Sequence, residues 1–136
     1  MDVGSTESRL VKKLRIKPGD RVWVVNAPDG YLRRLEPLPD GAEIVTAAGG
    51  KCEVVHVFVR DTAELDRHAS AAREALKPGG VLWFAYPKRQ KGVDTDINRD
   101  QGWDPLKREG LVAVTQIAID DLWSALRFRP EPEVGR

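Results

Sequence analysis

The sequence predicts a doubly wound α/β domain built on a mostly parallel sheet, and three observations predict it. Short runs of consecutive apolar residues, as at Val22-Trp23-Val24-Val25 and Val54-Val55-His56-Val57-Phe58-Val59, suit strands covered on both faces. Such runs alternate with helix-period segments, which calls for right-handed crossovers between parallel strands. A final pair of strands is joined closely enough to form an antiparallel hairpin. At 136 residues the chain has the length of one domain, and 41% hydrophobic residues supply the apolar surface for a core.

The elements follow in order. A polar N-terminal stretch over residues 1–6 is expected to be flexible, and one domain is expected over residues 7–130. Leu10, Val11 and Leu14 line one side of a short helix opposite Arg9, Lys12 and Lys13. Lys17-Pro18-Gly19-Asp20 breaks it before the first strand, Val22–Val25, and Asn26–Gly30 then makes a turn. Leu32 and Leu35 give one helical turn that ends before Pro37, and Ala42–Val45 is a short second strand. Val54–Val59 is the third. Asp61 caps the next helix, with Glu64 placed to return the bond, and Leu65, Ala69, Ala72 and Leu76 share its buried face. Pro78-Gly79-Gly80 stops that helix and Val81–Tyr86 forms the fourth strand. Asp104-Pro105 reads as an N-cap and first helical position, with the helix running to Gly110. Leu111–Ile119 and Trp123–Arg129 form the hairpin, and the Pro/Glu-rich tail over residues 131–136 is expected to be flexible.

Charge and cysteine content narrow the partners. With 22 Lys+Arg against 21 Asp+Glu, the net charge of +1 disfavours general nucleic-acid binding. Met1–Ser5 is too polar for a signal peptide and no apolar run is long enough to span a bilayer, so no membrane partner is expected. The single cysteine, Cys52, has no thiol to pair with in its own chain, and the reducing cytoplasm is its expected compartment. Cys52 also lacks a neighbouring His or Cys that would activate it, and is expected to carry no catalytic duty.

Leu76-Lys77-Pro78-Gly79-Gly80-Val81-Leu82 resembles the turn before the fifth strand of class I S-adenosylmethionine-dependent methyltransferases, and Ile16–Val22 is similar to the lead-in to their first strand. The hairpin ending at Phe128 resembles their sixth and seventh strands. More closely, Asn26–Tyr31, Ala85–Lys88, Thr95–Trp103 and Asp120–Pro130 resemble segments of an uncharacterised bacterial family of small methyltransferase-like proteins. The resemblance implies a trimmed Rossmann-like sheet, with spatial order 2-1-3-4-6-5 in sequential strand numbers. Its departures bear on function. Asn26-Ala27-Pro28-Asp29-Gly30 stands where the family's cofactor loop has glycines that let backbone approach the ligand. No acidic residue follows Val45 to hold a ribose, and no Asp/Asn-Pro-Pro-Tyr/Phe motif follows Val59. Few residues separate Val45 from Glu53, too few for the usual extra strand and its helices. These departures imply a protein without a standard adenosylmethionine site, with no cofactor expected, and leaning toward a non-catalytic role. A divergent methyltransferase, an enzyme acting on a small anion, and a homodimeric module paired through the hairpin are the alternatives.

In open α/β sheets ligands bind beyond the carboxyl ends of the central strands. Loops beginning at Asn26, Arg60 and Tyr86 meet there, the last leading into the long polar segment from Lys88 to Trp103. Asn26, Asp29, Tyr31, Tyr86, Lys88, Asp96, Arg99 and Trp103 are the candidate ligand-binding residues. Lys88 and Arg99 would give a point charge and a bidentate fork to a small anionic ligand, unless they pair with Asp94, Asp96 and Asp100 in their own loop. Trp103 is read either as a pocket wall or as packing for the short helix. Asp94-Thr95-Asp96-Ile97-Asn98 starts like a calcium loop, but Arg99 replaces the required glycine and Pro105 the bidentate glutamate, so Asp94 or Thr95 is read as a helix cap and no metal is expected. His56 is read as a core histidine, and His68 as a solvent-facing one.

Overall fold

The computed structural model describes residues 8–47, 49–88 and 95–133. Its sheet has six strands in the order β2-β1-β3-β4-β6-β5, which is the order the sequence predicts. The strands are β1 (Arg21–Val25), β2 (Glu43–Val45), β3 (Cys52–Phe58), β4 (Leu76–Pro87), β5 (Leu111–Ala118) and β6 (Trp123–Pro130). β2, β1, β3 and β4 are parallel, while β6 pairs antiparallel with both β4 and β5. Among the described residues three α-helices accompany the sheet: α1 (Arg9–Lys13), α2 (Thr62–Ala75) and α3 (Asp104–Arg108).

Apolar side chains on both sides of the central strands explain the burial of the sheet. Val55, Val57, Phe84, Leu126 and Phe128 pack on the face covered by α2 and α3. Val22, Val24, Val54, Phe58, Trp83 and Ala125 pack on the other, against Leu10 and Val11 of α1, Leu14 at its C-cap and Leu35 from the 3-10 turn Leu32–Leu35. Trp83 is joined to that layer by polarity as well, its Nε1 donating to the Leu14 carbonyl at 2.9 Å.

Local chemistry sets the element ends with three differences from expectation. Asp61 caps α2 by accepting from the Glu64 N–H at 2.8 Å, but the Glu64 carboxylate accepts from the Arg60 N–H instead of the cap itself. Leu76 does not extend α2: it is already extended (φ −80°, ψ 128°) and opens β4. The Lys77–Gly80 turn is then held against β3, where a Cβ on Gly80 would lie 2.8 Å from the Glu53 carbonyl oxygen, so only glycine allows this approach. The register of β3 on β4 shifts between Cys52 and Val54 at this turn. At α3, Asp104 is inside the helix and Trp103 takes the cap position without a side-chain cap bond.

Beyond Pro130 the chain makes a 3-10 turn at Glu131–Glu133, anchored by the Glu131 N–H donating to the Gly110 carbonyl at 2.8 Å. Cys52 is a buried free thiol, and burial pushes its pKa up, away from the reactive thiolate. Among the described residues no helix is long and apolar enough to cross a membrane.

Candidate functional site

The carboxyl ends of β1, β3 and β4 lie along one edge of the sheet, and two of the cavities that open there are lined by most of the candidate residues. The first, of about 500 Å³, sits where the crossovers from β1 and β3 diverge, between Asn26–Asp29 on one side and Phe58, Arg60 and Glu64 on the other, with Trp123 beneath. The second, of about 460 Å³, lies between the end of β4 (Tyr86, Lys88), the segment Asn98–Gln101, and Gln116 and Ser124 of the hairpin. Trp123 lines one and Ser124 the other. Successive residues of a strand point to opposite faces, and Trp123 belongs to the α1-side core.

Asn26 governs the first cavity. Its φ of 59° is left-handed, a conformation asparagine tolerates better than most residues, and it turns the chain sharply off β1. Its Nδ2 reaches across to the Phe58 carbonyl at 3.3 Å and to Nε2 of His68 at 3.1 Å, so the side chain spans the ends of β1, β3 and the first turns of α2. His68 is accordingly half-buried against Asn26 and not simply solvent-facing. Phe58 and Trp123 provide an apolar floor, and Asp29, Arg60 and Glu64 surround it with both signs of charge.

The segment from Thr95 onward is pinned to α2 instead of hanging free. Asp96 Oδ1 accepts from the Thr62 N–H at 2.8 Å, and this bond holds the Asp96 carboxyl below the usual carboxylate range. Thr95 caps no helix; its Oγ1 donates to the Arg60 carbonyl and accepts from the Ile97 N–H, closing a local turn. Gly102 fits against this junction because a Cβ there would lie 2.8 Å from Thr62 Oγ1, and its φ of +94° suits glycine. Asp96 is thus a structural tie. Asp96→Ala is expected to lower unfolding stability by about 1 kcal/mol, as loss of a helix cap does, and urea denaturation followed by circular dichroism measures it.

The other candidates divide between the cavities and the core. Asn26 and Asp29 line the first cavity, and Tyr86, Lys88 and Arg99 the second. They therefore do not converge on one ligand. Tyr31, 2% exposed, lies under the sheet edge with its hydroxyl 2.7 Å from Nε2 of His56, because the turn after Gly30 folds it back onto the core. His56 is the core histidine expected, hydrogen-bonded on Nε2, and its burial pushes its pKa down to about 3. Trp103 is also core, 5% exposed, with Nε1 donating to the Asn98 carbonyl and its ring edge-on to Tyr86. Arg99 pairs with its neighbour Asp100 at 3.3 Å, both side chains being largely exposed. Asp94, read as a cap or as a partner for these cations, lies outside the described residues. Arg60 and Glu64 enter the sequence reading only as the start of a loop and the partner of the Asp61 cap, and Gln116 and Ser124 only as residues of the hairpin strands.

No protein-family model matches the chain, and no curated protein matches it in sequence. Solved structures do match in fold. A structure of DhpI in complex with SAH aligns with a TM-score of 0.61 at 14% identity, over 92% of this chain and 83% of that one. A SAM-dependent methyltransferase from Aquifex aeolicus aligns at 0.59 and 12% identity, over 88% and 87%. The ribosomal protein L11 methylase from Lactobacillus delbrueckii subsp. bulgaricus aligns at 0.58 and 12%, over 89% and 74%. The chain has a methyltransferase-like, Rossmann-like α/β fold.

These matches correct the expectation that no cofactor is bound. Among the matched structures are complexes with SAH and SAM, and an Aeropyrum pernix fibrillarin holding natively bound S-adenosyl-L-methionine. The expectation rested on the missing glycine-x-glycine pattern, the missing acidic residue after Val45 and the missing Asp/Asn-Pro-Pro-Tyr/Phe motif after Val59; at the end of β1 the chain turns through Asn26, whose φ is 59°. A non-catalytic role, which followed from the same premise, loses its support.

Proposed function

We propose that this protein is a divergent adenosylmethionine-dependent methyltransferase that holds its cofactor in the crevice between β1 and β3. The observation that carries the reading is the Asn26 turn, which opens a crevice of about 500 Å³ at the switch point of a methyltransferase-like sheet. The donor set fits a zwitterionic nucleoside. Arg60 is suited to a carboxylate, Asp29 and Glu64 to an ammonium or a ribose diol, and Phe58 and Trp123 to an apolar ring. Asp29 would serve in place of the acidic residue missing after Val45. The bound cofactor supplies an electrophilic methyl group on a sulfonium. The chain's own contribution is positioning: Asn26 ties β1 to Phe58 and His68, and the Thr95–Arg60 and Asp96–Thr62 bonds brace the wall that carries Arg60 and Glu64.

Calorimetric titration with adenosylmethionine and with adenosylhomocysteine tests the reading. Binding at a dissociation constant of ~100 μM or tighter is expected, with Arg60→Ala and Asp29→Ala each weakening it roughly tenfold, the worth of one charge-assisted hydrogen bond. Absence of binding at ~1 mM ligand, or full affinity in both variants, refutes it.

A further inference from the structure

We propose that the second cavity binds a small organic monocarboxylate bearing a hydroxyl or similar polar substituent. This site is separate from the adenosylmethionine reading and stands without it. The α2-side face of the sheet is otherwise apolar, built from Val55, Val57, Phe84, Leu126 and Phe128. At its carboxyl edge, however, the side chains become polar. Gln116 Nε2 donates to Tyr86 Oη at 2.7 Å, reaching over β6 from β5, and Ser124 hydrogen-bonds the same phenol. Tyr86 and Ser124 are only 3% and 5% exposed. Burying polar groups costs free energy that an apolar filler would not, and a stable core does not need this cluster. It forms the floor of a cavity of about 460 Å³, within the range that holds small ligands.

The charges on the rim specify the ligand. Arg99 is matched by Asp100. Among the described residues Lys88 has no carboxylate partner, while its backbone N–H donates to the Leu122 carbonyl at 2.7 Å and fixes where the side chain starts. Among the described residues that line the cavity the net charge is therefore that of one ammonium, which a monocarboxylate neutralises and a phosphate dianion over-compensates. Burial pushes the Tyr86 pKa up, so its hydroxyl remains a neutral partner for a ligand hydroxyl.

Titration of the ¹⁵N-labelled full chain with sodium lactate, followed by amide and side-chain shifts, tests this. Acetate, inorganic phosphate and sodium chloride at matched ionic strength serve as comparison probes. Lactate is expected to saturate at ~1–10 mM with shifts centred on Lys88, Gln116 and Ser124, more tightly than acetate, while chloride leaves these signals unmoved. Lys88→Met is expected to weaken lactate at least ~tenfold and Gln116→Leu to remove its advantage over acetate, both variants keeping the wild-type spectrum elsewhere. Shifts that never saturate, equal lactate affinity in Lys88→Met, or tighter binding of phosphate than of lactate would each overturn the proposal.

Discussion

Phe58→Ala is expected to cost about 3–5 kcal/mol of unfolding stability, a large part of what a domain of this size possesses. Phe58 is 1% exposed and stands at the carboxyl end of β3, with ring centroids 4.6 Å from Tyr31, 4.6 Å from His56 and 5.0 Å from Trp123. Removing the ring leaves a cavity that three rigid aromatic neighbours cannot close, so the transfer and cavity contributions add. Phe58→Leu keeps most of the volume and is expected to lose about 1–1.5 kcal/mol. Because Phe58 also floors the β1–β3 crevice, the leucine variant separates folding from binding. Urea denaturation measures the first and adenosylmethionine titration the second. A loss below about 1 kcal/mol for Phe58→Ala would show that the aromatic cluster relaxes, contrary to the packing described.

The second large effect is acid sensitivity through His56. The buried ring has a pKa of about 3 in the folded chain, against an ordinary value of 6.5. Below pH 6.5 the unfolded chain takes up a proton that the folded chain refuses, so stability is present in full above that pH and is lost as the pH falls toward 3. The loss is expected to reach about 2 kcal/mol by pH 5 and about 5 kcal/mol near pH 3, each pH unit being worth about 1.4 kcal/mol. The carboxylates of Glu53, Asp96 and Asp120 are held below their ordinary values and add their own losses, but only as the pH falls through the carboxylate range. The interval from pH 7 to 5 therefore isolates the histidine. His56→Gln, which keeps a hydrogen-bonding partner for Tyr31, is expected to flatten the stability profile in that interval. Retention of the wild-type slope in the glutamine variant would assign the acid sensitivity elsewhere.

Much of the fold was legible because its signals are local. Consecutive apolar residues at Val22–Val25 and Val54–Val59 can only be satisfied by a strand buried on both faces, and each run became a central parallel strand. Asp61 announced the start of α2 by side-chain chemistry that acts over three residues. The hairpin after Gly110 followed from proximity in sequence. Where local signals competed, the sequence reading slipped. Leu76 fits the helical face by periodicity, but pairing with Cys52 draws it into β4.

The site was less legible, because a side chain's neighbours across the sheet are not encoded by its own spacing. Tyr31 and Tyr86 both carry a phenol, yet folding turns the first onto His56 and the second onto Gln116 at a cavity, while Trp103 packs edge-on against Tyr86. The sequence by itself determined the order of strands, the polar loops at one edge of the sheet and the absence of a glycine-x-glycine pattern after β1. Only the tertiary structure decided that Asn26 takes a left-handed turn at the end of β1 and that the candidate residues divide between separate cavities instead of sharing one. The reason is physical: left-handed backbone at a single asparagine carries a modest local cost, offset here by its side-chain bonds to Phe58 on β3 and His68 on α2. Which face a residue such as Trp123 or Ser124 presents depends likewise on register with β4, a long-range pairing that no window of sequence contains.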